Sequence, residues 1–173
     1  GLPDDSVPLA EGGRGAQADA DAVATYLGLV VSSFADRMTT ICTWDAGGPT
    51  WGTKTRNTFS RQALPMTWDF AEVNPFSTQS GSVQNTLDYT AKAVQVIGEA
   101  HAMVGQGDAT SLVLSARQMV STDPPYYDNI GYADLSDFFY VWLRRSLSSV
   151  YPDLFSTLLT PKAPELVATP YRF

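Results

Sequence analysis

An α/β layering, with a few strands covered by long helices, is the fold class this chain predicts, and three observations carry it. Two long stretches place apolar residues at helical spacing. Shorter apolar segments between them end in turn chemistry, as strands do. The 173 residues, 44% hydrophobic and 12% aromatic, suffice for one domain with a buried core.

In chain order, residues 1–17 are rich in Gly, Pro and acid and read as a loop leading into a helix, with 18–173 as the globular part. The run Gly12-Gly13-Arg14-Gly15 precedes that helix, a place where backbone N–H groups can cradle a phosphate or a carboxylate. Pro8 interrupts the only apolar stretch before it, so no strand leads in and a capping loop is the expectation. From Asp19 to about Cys42, residues Val23, Tyr26, Leu27, Val30, Val31, Phe34 and Met38 form one apolar stripe. Gly47-Gly48-Pro49 and Gly52 mark Trp44–Thr55 as a turn or exposed loop. Leu64–Phe70 predicts a strand. Leu87, Ala91, Val94, Ile97 and Ala100 predict a helix from Asn85 to about Val104. Leu112–Val120 predicts a turn and then a strand. A further helix is expected from Asp134, with Asp137 three residues on in the manner of a capping box, running to about Ser149 before Pro152. The aromatics Phe138, Phe139, Tyr140 and Trp142 then fall at helical spacing and read as core.

The composition excludes several chemistries. Cys42 is the only cysteine and His101 the only histidine, so neither a thiolate zinc site nor a nucleophile–histidine pair is built from them, and no metal is expected. No apolar run approaches the roughly 20 residues of a membrane span, and a reduced, cytoplasmic setting is expected. Eleven Lys and Arg against eighteen Asp and Glu leave a net charge of −7, unlike the basic surface that duplex binding normally requires. Positive residues gather only locally, as Lys54, Arg56 and Arg61 and as Arg144 and Arg145, and both groups read as solvated surface charge. The chain opens at Gly1, and Leu2-Pro3-Asp4-Asp5 has no signal-peptide character, so an excised piece of a longer polypeptide is expected.

The densest chemistry lies in Ser121-Thr122-Asp123-Pro124-Pro125-Tyr126-Tyr127, directly after the apolar Gln118-Met119-Val120. Prolines donate no backbone hydrogen bond, so the carbonyls around Pro124 and Pro125 stay free as acceptors. Asp123 adds another acceptor, and Tyr126 or Tyr127 offers a π-face. Two fixed acceptors beside a stacking ring suit a planar base that carries an exocyclic amine.

That tetrapeptide, Asp123-Pro124-Pro125-Tyr126, resembles the signature of S-adenosylmethionine-dependent amino-methyltransferases acting on DNA. Its flanks are similar to a family of large prokaryotic adenine-specific DNA methylases. They are Tyr127-Asp128-Asn129-Ile130 and 132–143 on one side, and Arg61-Gln62-Ala63, 68–72, Asn74-Pro75-Phe76 and 161–168 elsewhere. The resemblance implies a partial Rossmann-like methyltransferase domain and transfer of a methyl group to the N6 amine of adenine. It assigns Asp123, Pro124, Pro125 and Tyr126 to catalysis, and Tyr127, Asp128 and Asn129 to the substrate rim. Asp108, in Gly107-Asp108-Ala109, resembles the acid that contacts the cofactor's adenine ring; a plain turn is the other reading. The leading Asp favours adenine, since cytosine-amino enzymes more often resemble Ser-Pro-Pro-Tyr. Asp69, Glu72 and Asn74 form a polar cluster for which lining a pocket and capping a helix stay equally open.

One departure is an absence: no Phe-x-Gly-x-Gly cofactor loop occurs in these residues. The resemblance then implies that this piece carries the target-amine half of the site, that the rest of the same polypeptide supplies the cofactor loop, and that DNA is met by the whole protein. A different class remains: a non-catalytic nucleic-acid or protein binding module within a larger defence or regulatory protein.

Overall fold

The computed structural model describes residues 3–49, 52–97, 119, 121, 123 and 130–162. A single 3-10 turn, Leu9–Glu11, leads into helix α1, Ala16–Ala35. Strands β1, Trp44–Asp45, and β2, Lys54–Thr55, follow, then helices α2, Val83–Val96, and α3, Tyr132–Leu147. Among the described residues the sheet is this one antiparallel pair, with Trp44 opposite Thr55 and Asp45 opposite Lys54. The stretch expected to be a loop therefore closes as a short hairpin, with Gly47 and Gly52 at positive φ.

The packing of α1 corrects the expected stripe. Buried along it are Ala18, Asp21, Gly28, Ser32 and Ala35, with Thr25 half-buried between them, a repeat of three and four built from small and polar side chains. Val23, Tyr26, Leu27, Val31 and Met38 stay largely exposed, and of the apolar stripe only Val30 is buried. Small residues win this seam because they let α3 approach closely. A Cβ on Gly28 would lie 2.9 Å from Leu147 Cγ. Thr25 Oγ1 meets the Tyr151 hydroxyl at 3.0 Å, while Val31, Phe34 and Ala35 face Phe138 and Trp142 across an apolar gap. The two helices thus run antiparallel.

Helix α3 buries Ala133, Tyr140 and Leu147, one residue per two turns. Phe59 closes a ring triad with Phe138 and Phe139, centroids 5.1–5.3 Å apart. These three rings are half-buried, and of the four aromatics expected as core Tyr140 alone is buried, while Trp142 is exposed. Asp137 does not cap the helix as expected. The helix starts earlier, after Gly131, and the Asp137 carboxylate turns to the returning chain. It accepts from Thr160 N at 3.0 Å, Thr160 Oγ1 at 2.6 Å and Lys162 Nζ at 2.6 Å. Tyr140 donates to the Thr157 carbonyl at 2.9 Å and Arg144 Nε to the Phe155 carbonyl at 3.2 Å, binding residues 151–162 along the same helix.

A second polar knot ties the hairpin to the end of α1. Thr58 donates through both N and Oγ1 to the Asp36 carbonyl, at 2.6 and 2.7 Å. Asn57 Nδ2 and Phe59 N reach the Asp36 carboxylate at 3.0 and 3.3 Å. Cys42 sits inside this knot with 0% of its surface exposed, its sulfur 3.6 Å from Thr58 Oγ1.

The segment 64–70 is not the expected strand. Thr67 Oγ1 donates to the Thr40 carbonyl at 3.0 Å and Ala71 N to the Cys42 carbonyl at 3.4 Å, which lays this stretch along the loop after α1. Leu64, Met66, Trp68 and Phe70 all remain exposed. Helix α2 begins at Ser82, whose hydroxyl accepts from Asn85 N at 3.2 Å and meets the need of an N-cap. It buries none of its residues. The helical expectation beyond residue 97, with His101, and all but Met119 of the expected strand at 112–120, lie outside the described residues.

Candidate functional site

Of the tetrapeptide, Asp123 alone falls among the described residues, and its side chain is exposed. Its carboxylate makes no hydrogen bond or ion pair with another described residue. Pro124, Pro125, Tyr126, Tyr127, Asp128 and Asn129 lie outside the described residues, as does Asp108. Seven residues after Asp123, the described backbone resumes at Ile130 and enters α3, whose N-cap is Gly131.

The contacts of α3 join two stretches that lie far apart in the sequence. Asp137 stands in 132–143 and Lys162 in 161–168, and their ion pair spans 25 residues of sequence at 2.6 Å. Burial pushes the Asp137 carboxyl up, but hydrogen bonds from Lys162 and Thr160 outweigh it, and the group is held below its ordinary range. This partnership was invisible in the sequence, where Asp137 read as a local cap.

The polar cluster at 69–74 divides. Glu72 lines a cavity of about 250 Å³ together with Arg37, Met38, Thr40, Phe70 and Val73. Asn74 Oδ1 accepts from Phe76 N at 3.0 Å and closes a local turn. Asp69 is exposed and lies outside the lining of the cavity that holds Glu72. Pocket and local turn each therefore claim one residue of the three.

The glycine-rich run before α1 is the described segment that most resembles a cofactor cradle, and the protein's own carboxylates fill it. Asp5 Oδ2 accepts from Arg14 N at 2.9 Å and Asp4 Oδ1 from Gln17 N at 3.3 Å. The Arg14 N–H first, and then that of Val7, holds the Asp5 carboxyl below its ordinary range. Asp21, buried one turn into α1, accepts from Leu9 N at 3.0 Å. The glycines serve chain packing: a Cβ on Gly13 would overlap the Val7 carbonyl, and one on Gly15 would lie 2.5 Å from Asp5 N. The N–H groups of Arg14 and Gln17 are thus already taken by the chain's own carboxylates. The run is a capping loop.

Comparison with known proteins returned no matching family model, curated protein or solved structure. Among the described residues no helix is long and apolar enough to cross a membrane.

Proposed function

We propose that this chain supplies the target-amine site of an S-adenosylmethionine-dependent DNA adenine-N6 methyltransferase of Rossmann-like α/β class. The observation that carries the reading is the run Asp123-Pro124-Pro125-Tyr126 with its flanks. Asp123 accepts one hydrogen of the adenine amine and the Pro124 carbonyl accepts the other. Holding both hydrogens in these directions draws the nitrogen lone pair out of conjugation with the ring, which makes the amine a nucleophile. This is catalysis by positioning and local electrostatics.

The target base must leave the duplex stack to reach such acceptors, at a cost of a few kcal/mol. Tyr126 stacks on the extruded ring, and Tyr127, Asp128 and Asn129 shape the rim. Two features support the reading. Asp123 is exposed, with its acceptor capacity unspent among the described residues. The Asp137–Lys162 pair also bonds two of the stretches on which the resemblance rests. The methyl donor is held by other parts of the same polypeptide, in keeping with the absence of a Phe-x-Gly-x-Gly loop in this sequence.

The test is methylation of adenine-containing DNA by the full-length protein and its Asp123→Ala variant. Loss of a charge-assisted acceptor at the reacting centre is expected to lower the rate by a factor of about 100 or more, with cofactor affinity changed only a few-fold. Near-normal methylation by the variant sinks the assignment. A wild-type protein that binds DNA but transfers no methyl group would instead favour the non-catalytic binding module.

A further inference from the structure

The cations Lys54, Arg56 and Arg61 lie in a part of the chain that the methyl-transfer reading does not use. Residues 41–67 carry these three cations against one carboxylate, Asp45, in a chain whose overall charge is −7. The fold gathers two of them. Arg56 and Arg61 line a cleft of about 290 Å³ between the hairpin and the 58–67 segment, with the hydroxyl residues Thr43, Ser60 and Thr67, and no carboxylate lines it.

The donors of this cleft are sorted by their existing bonds. Thr67 Oγ1 is committed to the Thr40 carbonyl and Thr58 Oγ1 to that of Asp36. Arg56 spends Nε on Asp45 Oδ2, at 3.1 Å, and keeps its two terminal nitrogens. Asp45 is in turn engaged by Gly47 N at 3.0 Å. The Gly47 N–H and then Arg56 hold its carboxyl below the ordinary range, with Lys54 adding a smaller attraction. Among the described residues the Arg61 guanidinium has no hydrogen-bonding or ionic partner, the Arg61 carbonyl alone accepting from Ala63 N, and neither the Thr43 nor the Ser60 hydroxyl has one. Two guanidinium groups and two free hydroxyls line the cleft, and the one carboxylate beside it, Asp45, is held by Gly47 N and Arg56 Nε. This donor set matches a tetrahedral ligand with several acceptor oxygens. The walls are anchored, because Thr58 and Asn57 are bonded to Asp36 at the end of α1.

We propose that the cleft between the hairpin and residues 58–67 is an anion subsite that takes a phosphoryl group, with Arg61 as its principal donor. It does not depend on the methyl-transfer reading, since phosphate binding here is measured without cofactor or turnover. The phosphoryl group comes either from a nucleic-acid backbone or from a small phosphorylated molecule.

The experiment titrates the chain at low salt with inorganic phosphate, and separately with a short single-stranded deoxyoligonucleotide. Saturable phosphate binding is expected, weakened about tenfold or more by Arg61→Gln. A few-fold weakening is expected for Thr43→Val, which keeps charge and volume. Arg145→Gln, an equal change of net charge on the exposed face of α3, is expected to leave binding unaltered. Oligonucleotide binding that phosphate competes away identifies a backbone phosphate as the source, and Arg61→Gln then lowers the salt slope by about one unit. Phosphate binding without oligonucleotide binding identifies a small phosphorylated ligand. The proposal is overturned if neither probe binds saturably, or if Arg145→Gln weakens binding as much as Arg61→Gln. Should Arg61→Gln fail to fold, full phosphate affinity in Thr43→Val overturns it equally.

Discussion

Helices α1 and α3 with the returning segment 151–162 contrast with the half of the molecule made of residues 64–76 and α2. In the first, the contacts are specific and mostly polar at their edges: Thr25 with Tyr151, Tyr140 with Thr157, Asp137 with Thr160 and Lys162. Small side chains bring the helices together, and Leu147 fills the groove over Gly28 with only 3% of its surface exposed. In the second, α2 buries no residue, and Trp68 and Phe76 stand 88% and 91% exposed. The two halves are similar in apolar content but not in how that content is used. Stability of the described residues therefore resides in the α1–α3 half, and substitutions of like size should differ in cost between the halves.

The largest effect is expected from Leu147→Ala. Deleting a buried leucine from a tight helix crossing costs about 3 kcal/mol, the transfer free energy plus an unfilled cavity. Denaturant unfolding followed by circular dichroism measures it. A cost no greater than that of Trp68→Ala would erase the contrast between the halves.

Asp137→Ala comes next, at about 2 kcal/mol, because it removes the carboxylate partner of Lys162 and the acceptor of Thr160 N and Oγ1. This substitution also carries a pH signature. The folded Asp137 carboxyl titrates below its unfolded value, so its contribution is complete above about pH 4 and is lost as pH falls through the folded value. Wild-type stability should fall in that acid range, and the Asp137→Ala variant should fall less steeply. Parallel acid profiles would show that the pair has no stabilising role.

The smallest effect is expected from Trp68→Ala. A side chain 88% exposed has little burial to lose, and a change within about 0.5 kcal/mol is typical of such positions. A loss above about 2 kcal/mol would mean that the 64–76 segment is integral to the core.

Several features were legible without coordinates because their causes are local. The 3.6-residue period of the apolar positions located α1, α2 and α3, the glycines and prolines marked the turns, and the glycine-rich run before α1 read as a cap. The Asp123-Pro124-Pro125-Tyr126 run announces itself by residue type, since two imides and a carboxylate define acceptors wherever the chain carries them. The cationic cluster was also visible, although its residues read only as solvated charge.

Tertiary structure decided the rest. Periodicity shows that α1 has faces but not which one its partner selects. Close approach to α3 favours the small residues around Gly28 over the larger apolar stripe, because backbone proximity is limited by side-chain bulk. Asp137 sits where a cap would sit, yet its acceptors are taken by residues more than twenty positions downstream, a pairing no local rule contains. Segment 64–70 had the composition of a strand, but a strand needs a neighbour to receive its hydrogen bonds, and the chain lays it along the loop after α1 instead. Arg56 and Arg61 become one cleft only because Thr58 is fastened to the end of α1. By itself the sequence determined where helices form and which groups can accept or donate; which of those groups meet was set by long-range packing, whose energies depend on partners far away in the chain.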